Sequence, residues 1–112
     1  GMVMIGSYDD NGPGISAYRE KFKARWNEDI NLFSVNGYEA GQLLIKALQE
    51  SGISNTKDSL QGDREKLRVA YESVSIDSIS GYSVGFNAAH DTPKSGVILT
   101  IKDGAFQAWE SH

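Results

Sequence analysis

The stretch Leu32–Gly52, LFSVNGYEAGQLLIKALQESG, is the main basis for predicting the fold. Its first residues, Leu32–Val35, are typical of a short buried strand. Asn36 has the position of a helix N-cap, and Glu39 that of the return arm of a capping box. Apolar residues at helical spacing follow, closed by a terminal glycine. A strand, a turn and a helix in this order build open α/β sheets, in which ligands bind near the turn, here residues 36–38.

The remaining sequence predicts about three helices and five short strands. One helix is expected from residue 15 to 26, and Asp63 is expected to cap a third one. Asp103-Gly104 is typical of a two-residue hairpin turn. Strands are predicted at residues 2–5, 32–35, 82–86, 97–102 and 105–109. The fold class is therefore α/β, a partial open sheet with flanking helices and a C-terminal β-hairpin, and the first two strands are expected to pair in parallel.

Length, charge and composition exclude several classes of protein. The chain has 112 residues, which corresponds to one small domain or to part of a larger one. Its net charge of -4 argues against binding to a nucleic-acid backbone. The absence of cysteine excludes disulfides and thiolate sites. No apolar run approaches the ~20 residues that span a bilayer, and Met2–Ile5 is too short for a signal peptide.

No residue pattern predicts catalysis, a metal site or a cofactor site. His90 stands beside Asp91, but the sequence contains no nucleophile elbow, so a solvated loop is the favoured interpretation. The run Asp9-Asp10-Asn11 carries oxygen ligands without the spacing of a calcium loop, and it predicts a turn. We therefore expect neither an enzyme nor a metalloprotein.

Four places resemble one family in order and spacing. They are the strand at residues 1–5 with SAYREKF at 16–22, NGYEA at 36–40, the helix from DREKLR at 63–68 to residue 74, and the closing segments 81–86, 90–91 and 97–106 with KDG at 102–104. Together they resemble the C-terminal third of type I periplasmic solute-binding proteins, in the branched-chain amino-acid-binding group of ABC transporters. The resemblance covers nearly the whole chain. Glu39 stands where the family usually has aspartate.

The resemblance implies a function without chemistry. It implies that a small solute, an amino acid or a related compound, is held between two lobes and passed to an ABC permease, in the periplasm or outside the cell. It places Tyr38, Phe33 and Asn36 at the wall of the ligand cleft. Family members are much longer, so residues 1–112 are expected to be a single domain or a fragment that does not form a complete cleft alone.

A second hypothesis is a self-associating module or a remnant without ligand binding of its own. The aromatic face of the first predicted helix, Tyr18, Phe22 and Trp26, and the unpaired sheet edges would then be buried between copies. At helical spacing, the same aromatic residues are also typical of a protein core. The two hypotheses are compatible.

Overall fold

A computed structural model describes residues 2–109 and confirms the α/β class. Its elements, in chain order, are β1 (Val3–Gly6), α1 (Pro13–Trp26), α2 (Leu32–Glu50), α3 (Leu60–Ser73), β2 (Ser75–Asp77), β3 (Ser83–Gly85), β4 (Val97–Lys102) and β5 (Ala105–Ala108). Among these residues, no helix is long and apolar enough to cross a membrane.

The start of α2 differs from the expectation. Leu32–Val35 is the first turn of the helix, so the predicted strand is wrong. The N-cap is Asn31, whose side chain accepts a hydrogen bond from the Ser34 backbone N–H at 3.0 Å. The Ser34 hydroxyl oxygen in turn accepts from the Asn31 backbone N–H at 2.9 Å. This capping box lies five residues before the predicted one, so Asn36 is inside the helix and caps nothing.

The other helix boundaries agree better with the sequence. Gly52 follows α2 with a φ of 62°, a conformation that glycine adopts without strain. Asp63 lies in the first turn of α3 and is not its cap, because the helix begins at Leu60. The Asp63 carboxylate instead accepts the backbone N–H groups of Ser54 and Asn55 and ties the preceding loop to the helix.

All ladders among the described strands are antiparallel, so the predicted parallel pairing is wrong. One sheet has the order β1-β4-β5, with Val3 opposite Thr100, and the other joins β2 to β3. The predicted hairpin is confirmed: Asp103 and Gly104 join β4 to β5 with φ values of 54° and 76°. Two positive φ angles fit the turn that matches strand twist.

The main core lies between α2, α3 and the β2–β3 sheet. It consists of Leu43, Ala47, Val74 and Val84. Helix α1 joins this body through close packing of Gly14, where a Cβ would stand 2.4 Å from the Ile79 carbonyl oxygen. A larger residue at this position would push α1 away from the β2–β3 turn.

The β1-β4-β5 sheet is poorly covered. Leu99 is the only buried residue within these three strands, and Ile5 is 77% exposed. The Cα radius of gyration is 17.6 Å, whereas about 13 Å is usual for a compact chain of this length. The described residues therefore form an elongated body with apolar surface left open on the sheet.

Candidate functional site

A buried carboxylate, Glu39, organises the most polar site of the described fold. It is 2% exposed, in the middle of α2. One carboxylate oxygen accepts hydrogen bonds from the hydroxyls of Ser78 and Ser80, and the other pairs with the Lys94 ammonium. The three side chains that donate hydrogen bonds to the Glu39 carboxylate all lie outside α2.

The electrostatics of Glu39 follow from these contacts. Burial alone would raise the pKa of its carboxyl group. The hydrogen bonds from Lys94, Ser78 and Ser80, together with the charge of Lys94, outweigh burial and hold the pKa below its usual range. Glu39 is therefore an anion at neutral pH, and its lowered pKa together with the three hydrogen bonds that its oxygens already accept makes it a weak base.

The same contacts bring three distant segments together. Ser78 and Ser80 belong to the turn between β2 and β3, and Lys94 belongs to the long connector between β3 and β4. Lys94 also donates to the Asn36 side-chain oxygen at 2.9 Å, so it joins two positions of α2 that lie three residues apart. The ion pair therefore fixes the connector against the helix.

A cavity of about 330 Å³ opens beside this ion pair. Its apolar floor includes Leu43, Val84 and the packed rings of Tyr71 and Phe86, whose centroids are 5.0 Å apart. The volume lies at the lower end of the roughly 300–1,000 Å³ range of small-molecule sites. The complete lining is Ser7, Leu32, Asn36, Glu39, Ala40, Leu43, Tyr71, Val84, Phe86, Thr92 and Lys94.

The rim of this cavity carries hydrogen-bond donors. The Asn36 amide nitrogen and the Thr92 hydroxyl make no hydrogen bond within residues 2–109, and Lys94 uses two of the three N–H bonds of its ammonium. An apolar floor with donors at the rim can hold an apolar molecule that carries an acceptor group. The arrangement suits the binding of such a molecule.

The three sequence-predicted site residues do not meet in one cavity. Asn36 lies at the rim of the cavity just described. Tyr38 points to the other side of α2, where its ring packs on Tyr18 at a centroid distance of 4.6 Å. Phe33 is 83% exposed on a third side of the helix.

Tyr38 and α1 form a second, aromatic cavity of about 430 Å³. Tyr18, Phe22 and Trp26 line it, as expected for residues on one helix face. The Tyr18 hydroxyl donates to the Ser34 carbonyl oxygen at 3.0 Å and fixes the first turn of α2 against α1. Trp26 remains 59% exposed, so this face is only partly a core.

Sequence reasoning missed the role of Glu39. It was expected to close a capping box with Asn36, and this is wrong because the helix begins earlier. One signal was present: Glu39 is flanked at a spacing of four by Val35 and Leu43, which are both buried. A charged residue on an apolar helix face predicts a buried partner, although the sequence does not indicate that the partner is Lys94.

The other polar candidates lie apart from this site. His90 lies in the connector between β3 and β4. Its Nε2 is 3.5 Å from a carboxylate oxygen of Glu72, and both side chains are exposed. Asp10 pairs with Arg19 at 2.6 Å. Within residues 2–109, no cluster of three or more acidic or histidine side chains could hold a metal ion.

Comparison with solved structures identifies the fold. A solute-binding protein of an ABC transporter from R. palustris, in complex with benzoate, matches 96% of this chain and 29% of its own, with 23% identity and a TM-score of 0.73. A chain assigned as a branched-chain amino acid ABC transporter from Rhodospirillum rubrum matches 96% of this chain and 30% of its own, with 19% identity and a TM-score of 0.77.

A leucine-binding protein from Thermotoga maritima matches 98% of this chain and 30% of its own, with 17% identity and a TM-score of 0.64. No family model and no curated protein sequence matches the chain. The resemblance predicted from the sequence is thus confirmed at the level of the fold. The chain has the fold of part of the solute-binding proteins of ABC transporters, and it spans 29–30% of the length of the structures it matches.

Proposed function

We propose that this chain is part of a non-catalytic solute-binding protein of an ABC transporter. The complete protein would bind an amino acid or a related small solute in the periplasm or outside the cell and deliver it to an ABC permease. One observation carries the proposal: nearly the whole chain superposes on three solute-binding proteins, with TM-scores of 0.64 to 0.77.

The chemistry of the cavity beside the Glu39–Lys94 pair, called the Lys94 cavity below, supports this function. Benzoate, which is bound in one of the matched structures, and leucine, which is named for another, both join an apolar body to a carboxylate. A floor with Tyr71 and Phe86 suits such a body, and the donors of Asn36 and Lys94 suit the carboxylate. Because Glu39 neutralises Lys94, we expect hydrogen bonding to contribute more than net charge.

Tyr38 and Phe33 remain proposed ligand contacts. Tyr38 lines the aromatic cavity beside α1, and the exposed ring of Phe33 stands where a further part of the protein could close over it. Neither residue touches the Lys94 cavity, so a solute that uses all three residues would need protein groups beyond those described.

Calorimetry on the complete polypeptide that contains these residues tests the proposal. The titrants are leucine, isoleucine, phenylalanine, benzoate and the uncharged benzamide. We expect one of the acids to bind, and Lys94→Met and Asn36→Ala each to weaken its binding by about tenfold or more, as loss of a hydrogen bond to a charged group does. Lys57→Met is the matched control, because Lys57 is exposed and none of the ion pairs among residues 2–109 includes it.

Absence of binding across the whole panel would count against a solute-binding function of this type. Binding that Tyr38→Ala abolishes while Lys94→Met leaves it intact would move the site to the aromatic cavity. Binding unaffected by any of these variants would remove this chain from the solute site.

A second candidate function is self-association through the β1-β4-β5 sheet. The observation that favours it is the exposure of Val3 and Ile5 on the edge strand β1. Edge strands with apolar side chains readily pair with another chain. Light scattering at several protein concentrations tests this candidate, since a monomer at every concentration would exclude it.

A further inference from the structure

The aromatic cavity beside α1 is separate from the Lys94 cavity. The two cavities share no lining residue and lie on different sides of α2. The volume of the aromatic cavity is about 430 Å³, which lies within the roughly 300–1,000 Å³ range of small-molecule sites. It can therefore hold a ligand of its own while the Lys94 cavity is empty or filled.

One wall of the aromatic cavity is a row of rings along α1. Tyr18, Phe22 and Trp26 follow one another at successive turns, so the row is about 12 Å long at a rise of about 1.5 Å per residue. Tyr38 extends the wall from α2, with its ring centroid 4.6 Å from that of Tyr18. Trp26 is 59% exposed and Tyr38 is 39% exposed, so aromatic surface is left open here. A wall of this length suits a flat molecule of one or two fused rings.

Two cations line the same cavity. Lys21 and Arg25 are exposed and lie one turn apart on α1. Among the described residues that line the cavity, none is acidic. The ion pairs found within residues 2–109 include neither of these two cations. The guanidinium of Arg25 stands 5.3 Å from the ring centroid of Trp26, so a positive charge is held directly beside the aromatic wall.

Helix stability explains only part of this charge. Arg25 and Lys23 lie in the last turn of α1, where cations interact favourably with the helix dipole. Lys21 lies before that turn, so the dipole does not account for its position. Lys23 does not line the cavity, which makes it a matched control on the same helix.

We propose that the aromatic cavity is a second binding site and that its ligand is an aromatic carboxylate. The rings of the ligand lie against Tyr18, Phe22 and Trp26, in the tilted or offset arrangements that aromatic rings prefer. Its carboxylate lies between Lys21 and Arg25, which donate charge-assisted hydrogen bonds to it. The proposal goes beyond the proposed function, because none of these groups belongs to the Lys94 cavity and no transport step is involved.

Calorimetry on the complete polypeptide tests the proposal with naphthoate as the probe. Two matched compounds separate the contributions to binding: naphthamide lacks the negative charge, and decahydronaphthoate keeps the charge but has no aromatic ring. We expect naphthoate to bind, naphthamide to bind about tenfold more weakly, and decahydronaphthoate to bind about threefold more weakly or less well still.

Four variants locate the probe. Lys21→Met and Arg25→Met are each expected to weaken naphthoate binding by about three- to tenfold and to leave naphthamide binding unchanged. The control Lys23→Met is expected to change neither. Asn36→Ala alters the rim of the Lys94 cavity, so it should not affect a probe that is bound beside α1.

Four results would overturn the proposal. The first is a wild-type protein that does not bind naphthoate, and the second is equal affinity for naphthoate and naphthamide. The third is an equal loss of binding in Lys23→Met and Lys21→Met, because the attraction would then be a general effect of surface charge. The fourth is binding that Asn36→Ala weakens and Lys21→Met does not, which would place the probe in the Lys94 cavity.

Failure of the proposed function gives a different result. It would leave leucine, isoleucine, phenylalanine and benzoate without any binding that depends on the Lys94 cavity. Naphthoate binding that is sensitive to Lys21→Met and Arg25→Met would still be observed in that case, so the two proposals can fail separately.

Discussion

Breaking the Glu39–Lys94 pair tests the account of the site. The two partners differ in exposure: Glu39 is 2% exposed, whereas the Lys94 side chain is 26% exposed. Removing either partner leaves the other charge without compensation. We expect Lys94→Met to destabilise the fold more than Glu39→Gln, because the charge it leaves behind is the more deeply buried one.

The expected magnitudes follow from burial. Loss of one member of a buried pair costs about 3–5 kcal/mol, and we assign this range to Lys94→Met at pH 7. In Glu39→Gln the remaining ammonium can turn toward water, and the amide can still accept hydrogen bonds from the two serines. The cost there is expected to be about 1–3 kcal/mol. Total stabilities of small domains are about 5–15 kcal/mol, so both effects are measurable.

Urea unfolding, followed by tryptophan fluorescence, measures both variants between pH 4 and 8. The lowered pKa of Glu39 gives the wild type a stabilising contribution that is complete above the unfolded-state pKa of about 4.3 and is lost as the pH falls through the folded-state pKa. Glu39→Gln lacks this contribution at every pH. In the Lys94→Met variant, burial without the lysine raises the pKa of Glu39. The difference in unfolding free energy between this variant and the wild type should therefore shrink as the pH falls from 7 toward 4.

If the two variants lose the same free energy of unfolding, or if Glu39→Gln loses more, the reasoning from burial is refuted. A deficit of Lys94→Met that does not change with pH would show that Glu39 is not the charge left behind. Lys57→Met serves again as the control and is expected to change the free energy of unfolding by less than about 0.5 kcal/mol.

Three further predictions concern local structure. Asn31→Ala removes the α2 N-cap and is expected to cost about 1 kcal/mol in urea unfolding, whereas the exposed Gln49→Ala should cost almost nothing. Gly104→Ala places a Cβ at a φ of 76° and should lower the melting temperature, while Asp103→Gly in the same turn should not. Asp63→Asn weakens the acceptor of two loop N–H groups, so the amides of Ser54 and Asn55 should lose protection against hydrogen exchange; in the wild type the same protection should be lost only as the pH falls through the pKa of Asp63, which the hydrogen bonds from Ser59 and Ser54 hold below its usual range.

Local signals in the sequence predicted the local structure correctly. The Asp103-Gly104 turn and the terminal Gly52 depend on backbone angles that few residues adopt, so the residue type alone is informative. The prediction of where α2 starts was wrong because two capping boxes compete in the same stretch. The one at Asn31 prevails, and it draws the β-prone residues Leu32–Val35 into the helix.

The candidate site was not predictable in the same way. Glu39 and Lys94 are 55 residues apart in the sequence, and only the packing of the connector on α2 brings them together. The three-residue strand β2 alternates polar and apolar side chains too briefly to be detected. The error in strand pairing follows from the error at Leu32–Val35, since a helix there leaves β1 free to pair with β4.

The order of strands in the β1-β4-β5 sheet also determines how the fold responds to mechanical force. β1 and β5 both run antiparallel to β4, so they run in the same direction on either side of it. A pull applied at Met2 and at Trp109 therefore draws the two outer strands in opposite directions along the central one. Each ladder has four residue pairs that are strained together rather than one after another, so the sheet resists stretching in shear and does not unzip.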